Sequence, residues 1–401
     1  MNFGNKNGYL DPGTGNALVA ALFGLIGSIA FFAKNIFYRI IGKKEEIFKC
    51  DLAIFSEGKM YWIYFKDVVE ELIKRKVKFA YYTMDINDPA LELYDYGNPG
   101  FDFNQFKVKF VGTGNKGYSA ISNLKEKNIL STTPNIGASG YPIKKPKNCK
   151  NLIHIAHGPR SVSAYKKYAL DCYNTIFSHS HFFSNEIKIL ENKRNLIAKN
   201  IIDGGLMYMD SIIEKAKILQ NETDGKTILI ASTWNKRGCL QIYGSKFIKD
   251  LSNAGYNVIV RPHPYSYIYE KEFIENLQKE LPNITFSTET DNLSVMAKAD
   301  VLISDISGVR LDFYLCFERP VISLESETEL SSEYEQADLT ENFDINISEK
   351  IGVCVKKEEI TNIVQIVQNA KQTKFINKNS ILTNVGKSKF LLANYLESIN
   401  G

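Results

Sequence analysis

Two short stretches constrain this chain more than any others. Val258-Ile259-Val260-Arg261-Pro262-His263-Pro264 and, about forty residues later, Val301-Leu302-Ile303-Ser304-Asp305-Ile306-Ser307-Gly308-Val309 are each an apolar strand running straight into a polar turn. The first turn offers Arg261 and, between two prolines, His263. The second offers hydroxyls, a carboxylate and a glycine where a helix should begin. Strand ends of this kind, set side by side in a parallel sheet, form a pocket for a phosphate-bearing ligand.

The same rhythm recurs along most of the chain. Strands are expected at 51–56, 78–83, 107–111, 128–131, 152–156 and 175–178, with helices at 62–75 and 118–127. A second series begins near Gly204-Gly205, with strands at 227–231, 257–260, 284–286, 301–304 and 320–323. Its helices are expected at 243–255, 269–280, 293–299 and after Gly308, and further ones at 357–370 and 388–398. Residues 325–348 read as an acidic, irregular surface loop. Strands alternating with helices imply βαβ units and parallel sheets. The expected architecture is therefore α/β, with two Rossmann-like, doubly wound parallel-sheet domains facing a cleft, the GT-B arrangement. The division expected is an anchor over 1–45, an N-terminal acceptor domain over 46–203, a C-terminal nucleotide-donor domain over 204–375, and a C-terminal helix over 376–401 able to pack back on the first domain.

With 401 residues the chain can hold two sizeable cores. A formal net charge of +4 is too small for wholesale wrapping of nucleic acid. The six cysteines show no C-x-x-C spacing, which argues for free thiols rather than a zinc ribbon or a disulfide framework. Between Asp11 and Lys34 lie 22 residues without a charge. As a helix they would span roughly 33 Å, enough for a hydrocarbon core. Lys34, Arg39, Lys43 and Lys44 follow this segment and only Lys6 precedes it. The positive-inside rule then expects an inner (cytoplasmic) membrane anchor with the catalytic domains in the cytoplasm.

Several strand ends carry chemistry. His157, followed by Gly158, stands at the mouth of one and can act as a general base. His263 is stiffened by its flanking prolines, and its N–H can neutralise a leaving diphosphate. Arg261, Thr233, Trp234, Ser304, Asp305, Ser307 and Gly308 are candidate donor contacts, since the first amides of a helix lack partners and its dipole favours an anion. Asp305 could equally be a helix cap, and Arg310 and Asp312 could pair with one another. On the acceptor side the candidates are Gly158, Gly58, Gly112 and Gly114. The last two open a literal G-x-G-x-x-G, but no acidic residue ends the next strand, which argues against NAD. His179 and His181 have metal-like spacing without further ligands. No metal and no cofactor are expected.

In this order, His157-Gly158, Gly205 with Asp210, Ala231-Ser232-Thr233-Trp234, Arg261-Pro262-His263-Pro264, Ser304-Asp305-Ile306-Ser307-Gly308-Val309 with Asp312, and Arg319-Pro320-Val321-Ile322 resemble the CDP-glycerol glycerophosphotransferase family of teichoic-acid primases and polymerases. The resemblance implies a GT-B fold, a CDP-activated donor and no required metal. It also implies that His157 deprotonates the acceptor hydroxyl and that His263 sits at the donor diphosphate. Pro159, Asn235 and Gly308 stand where that family usually has threonine, arginine and serine. The expected function is membrane-associated transfer of glycerol phosphate, or a similar phospho-polyol, to a hydroxyl of a cell-surface glycan or its lipid-linked precursor. Two alternatives stay open. One is a GT-B glycosyltransferase using a UDP- or CMP-sugar for capsule or lipopolysaccharide synthesis. The other is a non-catalytic, membrane-tethered assembly protein.

Overall fold

A computed structural model describes residues 48–94, 105–219, 223, 225–326, 332–339, 341 and 343–400. The expected anchor lies outside the described residues. Among those described, no helix is long and apolar enough to cross a membrane. All six cysteines are free thiols.

The first sheet holds β1 (Leu52–Ser56), β2 (Phe79–Thr83), β3 (Phe106–Phe110), β4 (Asn128–Ser131), β5 (Asn151–Ile155), β6 (Thr175–Ser178) and β7 (Asn200–Asp203). Its order is β3-β2-β1-β4-β5-β6-β7, and every pairing is parallel. The second holds β8 (Thr227–Ser232), β9 (Asn257–Pro262), β10 (Thr285–Phe286), β11 (Val301–Ser304), β12 (Val321–Leu324) and β13 (Gly352–Val355). It runs β10-β9-β8-β11-β12-β13, again all parallel. Strand order reverses between β1 and β4 in one sheet and between β8 and β11 in the other. These are the two positions where an open α/β sheet leaves a crevice beyond its carboxyl strand ends.

The central strands are apolar over most of their length because both of their faces are covered. In β1, Leu52 and Ile54 face one core with Val68 and Leu72, while Ala53 and Phe55 face another with Ile121 and Ile129. Each of the larger of these side chains, fully buried, contributes roughly 1.5–3 kcal/mol. The helix Ser388–Ser398 also belongs to the first sheet. Leu392, Ala393 and Leu396 join the Leu52 cluster, and Asn151 donates to the Tyr395 hydroxyl at 2.9 Å. Asp210 fixes this return, accepting from the amides of Gly386 at 2.7 Å and Ser388 at 3.0 Å. Gly205, at φ +88°, leaves no room for a Cβ, which would meet the Ser388 hydroxyl and the Thr383 carbonyl.

Several expected elements are moved or divided. The helix expected at 118–127 is Gly114–Ser122, started early by a glycine turn. The one expected at 243–255 breaks at Gly244 (φ +63°) into Cys239–Tyr243 and Lys246–Asn253. That expected at 269–280 becomes Pro264–Tyr269 and Lys271–Glu280. The helices His181–Arg194 and Met207–Leu219 and the strands β7 and β13 had no expectation. Within 325–348, the described part is not simply loose surface. Glu335 and Asp344 are buried, and their pairing with Arg194 and Arg160 of the first half offsets the cost of burying a carboxylate.

Candidate active site

The second sheet's crevice is built around Asp305, which directly follows β11 and is fully buried. Its Oδ2 accepts from the Ser232 hydroxyl at 3.1 Å and from the amides of Thr233 and Cys239, both at 2.9 Å. Burial pushes this carboxyl up, and those donors oppose the shift. Asp305 thus shapes the Thr233 loop from beneath, and Ser304 is equally buried. Neither presents its side chain at a solvent-facing surface, where direct donor contact had been expected. Thr233, Trp234, Ser307 and Gly308 are half-buried at the crevice. Ser307 and Gly308 lead into the helix Val309–Phe317, whose first amides have no intrahelical partner. Arg310 does not pair with Asp312. It is buried, donating to Ser323 at 3.0 Å, to the Asp344 carbonyl at 3.0 Å and to Ser348.

His263 caps the helix Pro264–Tyr269, its Nδ1 accepting the Tyr265 amide at 3.1 Å. With Nδ1 occupied as an acceptor, the neutral ring carries its proton on Nε2, a tautomer assigned from that bond. Burial lowers the His263 pKa, while Asp305 and Glu270 pull it back. Arg261 is held by Asn292 (Nε to Oδ1, 2.9 Å) and Ser287 (3.2 Å). Trp234 packs against Tyr265 and Tyr269, with ring centres 5.6 and 5.8 Å apart.

Across the cleft, β5 delivers His157. The ring reaches solvent, but Tyr64 approaches edge-on at 6.1 Å and Tyr165 stacks at 6.0 Å. The protein around its other sides lowers its pKa, and Arg160 adds to the effect. Beyond Gly158 the space is open, with no atom within 4 Å of where a Cβ would stand. Arg160 then spans the cleft. Its guanidinium pairs with Asp344 at 3.0 Å, and its Cδ lies 3.6 Å from the Cβ position of Gly308. The buried His179 ring donates to the Arg160 carbonyl at 3.2 Å and is pushed down to about 4. His154 is fully buried against Tyr165 and pushed down to about 3. His181 is exposed, 3.9 Å from Asp203. Among the described residues, no group of three or more metal-ligating side chains is arranged around a common point.

Arg160, Tyr64 and Tyr208 were not singled out in the sequence, since nothing local marks a residue that acts across a cleft. Tyr64 and Tyr208 pack edge-on at 5.3 Å. Burial raises the pKa of both, Asp312 adds to it, and the Asp312 carboxyl is itself pushed up to about 7 by burial, against the pull of Arg160. Gly112 and Gly114 lie apart from the crevice residues. They follow β3, the edge strand, and adopt φ +102° and +53°. Gly117 completes a tight turn, for a Cβ there would meet the Gly112 carbonyl. Gly58, by contrast, follows β1 at the reversal of strand order.

Two doubly wound sheets whose carboxyl edges meet at His157, Arg160 and Gly308 define a GT-B-like fold of nucleotide-dependent enzymes. Residues 154–378 match the family model of CDP-Glycerol:Poly(glycerophosphate) glycerophosphotransferase. The chain belongs to that family and is a transferase of its CDP-glycerol glycerophosphotransferase type. No curated protein sequence matches it. In fold it is similar to the UDP-GlcNAc 2-epimerase of Methanocaldococcus jannaschii in complex with UDP-GlcNAc and UDP (TM-score 0.54, 14% identity, covering 86% of this chain and 99% of that one). It is also similar to a histidine-to-alanine form of the wall teichoic acid polymerase TagF (TM-score 0.50, 14% identity, covering 93% and 95%).

Proposed function

We propose that the protein transfers glycerol phosphate, or a similar phospho-polyol, from a CDP-activated donor to a hydroxyl of a cell-surface glycan or its lipid-linked precursor. His157 takes the hydroxyl proton. The oxygen attacks the donor's distal phosphorus, the bond to the bridging oxygen breaks, and CMP leaves. The His263 Nε2–H donates to the departing phosphate, next to Thr233 and the Ser307–Gly308 helix start. Trp234 and Arg261 stand at the margin of the donor site, with Ser304 and Asp305 holding its floor. The chain supplies proton transfer and oriented donors, the two contributions this displacement needs. Residues 1–45 attach the enzyme to the inner (cytoplasmic) membrane with the cleft on the cytoplasmic side.

One observation carries this proposal. A solvent-reaching imidazole, kept in its base form by its surroundings, sits three residues before an arginine that touches the anion-favouring helix start of the other half. The test is CMP release from CDP-glycerol by the wild type, His157→Ala and His263→Ala. Equal rates in all three would remove the histidines from the chemistry. Thermal stabilisation by UDP-sugars alone, with none by CDP, would overturn the donor assignment.

A further inference from the structure

Every strand of a parallel sheet starts at the same edge. The residues just ahead of β1 to β7 therefore share one face of the first lobe, and the carboxyl ends that build the cleft lie at the other. Strands of four or five residues, rising about 3.3 Å per residue, set the two edges roughly 15 Å apart. The starting edge is basic. Lys49 precedes β1, Lys76 precedes β2, Lys125 and Lys127 precede β4, and Lys147 and Lys150 precede β5, each within four residues of the strand start and each exposed.

The acids described ahead of the same strands are already engaged. Asp51 pairs with Lys127 at 2.6 Å, Glu126 is buried and accepts the Tyr82 hydroxyl at 2.6 Å, and Asp171 pairs with Arg194 at 2.7 Å. Glu397, at the end of the returning helix, pairs with Arg75 at 3.3 Å. Lys49, Lys76, Lys125, Lys147 and Lys150 have no ion-pair partner among the described residues. The second lobe shows no such excess. Ahead of β11, β12 and β13, Lys298 stands with Asp300, Arg319 with Glu318 and Lys350 with Glu349. Two further observations bear on what the basic edge meets. Ile197, three residues ahead of β7, is 92% exposed. An apolar tip beside cations suits the boundary between headgroups and acyl chains. The described chain also enters the lobe at this edge, at Phe48. Upstream, the sequence carries Lys34, Arg39, Lys43 and Lys44 and, before them, the uncharged span between Asp11 and Lys34. The stretch from Lys34 to Phe48 reaches at most about 50 Å. Cations tethered that near an apolar span are drawn to anionic headgroups.

Resting on the membrane attachment proposed above, we propose that the starting edge of the first sheet docks on the anionic surface of a phospholipid bilayer, through Lys49, Lys76, Lys125, Lys147 and Lys150, with Ile197 at its rim. The cleft then opens away from the membrane, roughly 15 Å or more above the headgroups. It serves hydroxyls that a glycan carries to that height, not hydroxyls at the lipid surface.

Hydrogen–deuterium exchange on the full chain tests this, with phosphatidylcholine vesicles that contain or lack phosphatidylglycerol. Exchange is expected to slow in the turns 75–78, 124–127, 147–150 and 195–199 with the anionic vesicles alone. The cleft turns 233–238 and 263–266 should stay unchanged. About 1 M salt, which shortens the Debye length to about 3 Å, should remove the protection. Lys76→Glu, Lys125→Glu and Lys150→Glu combined should also remove it, while the thermal shift with CDP is kept and shows an intact fold. Slowing at the cleft turns instead, equal slowing with uncharged vesicles, or full protection in the triple variant would each overturn the proposal. Protection of the edge by a soluble glycerol phosphate polymer, with none from vesicles, would overturn it too. Flotation separates this outcome from the attachment on which it rests. A chain that floats with phosphatidylcholine vesicles, yet shows no slowing at the edge once phosphatidylglycerol is added, is anchored but not docked. One that floats with neither composition is not attached to the membrane at all, and both readings fall.

Discussion

At the scale of single residues, three histidines show how surroundings divide one side-chain type into different tasks. His154 and His179 are sealed in and pushed down to about 3 and about 4, whereas His157 meets solvent. A buried neutral histidine takes up its proton near pH 6.5 only when the chain unfolds, so acid favours the unfolded state. Stability is thus complete above about pH 6.5 and falls as pH drops below that value. Urea denaturation of His154→Gln should show a shallower loss between about pH 7 and pH 5 than the wild type; superimposable profiles would count against this account. His157 acts in its base form, and its lowered pKa extends the active range to the acid side. The acid limb of kcat/KM should therefore lie below pH 6.5. Arg160→Gln removes one of the two lowering influences, and the limb should move to higher pH. His263→Ala should lower kcat by about a hundredfold or more, the usual loss for an oriented donor to developing charge. These residues were only partly legible in the sequence. His157 and His263 stood out because each ends an apolar strand. Arg160 did not, because its partners, Asp344 and Gly308, are more than a hundred residues away along the chain.

At the scale of elements, the strands were easier to read than the helices. Val301–Ser304 and Thr175–Ser178 match their expected bounds, since buried parallel strands are short apolar runs ended by polar turns. Helix starts were harder. His263 and Pro264 open a helix where a stiff turn had been expected, and Gly244 splits another with a left-handed backbone. The helix His181–Arg194 buries Glu186 and Glu191 along with Phe183 and Ile187, so its core side carries no clear apolar stripe. The Thr233 loop depends on one carboxylate. Asp305→Ala strands the buried amide of Cys239, costing about 1–3 kcal/mol, and the half-buried one of Thr233, costing less. Denaturant titration should register that loss, and CDP should bind more weakly as the loop relaxes. Asp305→Asn should retain part of both, because its amide oxygen can still accept.

At the scale of the whole molecule, the end of the described chain belongs to the beginning. Leu396 is fully buried among side chains of the first sheet and the helix Trp62–Lys74. Leu396→Ala should cost about 2–5 kcal/mol, read as a lower unfolding midpoint that donor saturation does not restore to the wild-type value. The family-motif residues Gly205 and Asp210 are explained at this scale, because both meet the segment returning from the second sheet. The polypeptide leaves the first lobe near Gly205 and rejoins it near Thr383, whose amide donates to the His179 carbonyl, and between those points the segment around Glu335 reaches back to Arg194 and Lys166. Lobes tied at such separate places keep little freedom to slide or to twist. Widening the gap between the two imidazoles would therefore strain the Arg194–Glu335 and Arg160–Asp344 pairs before it disturbed either sheet.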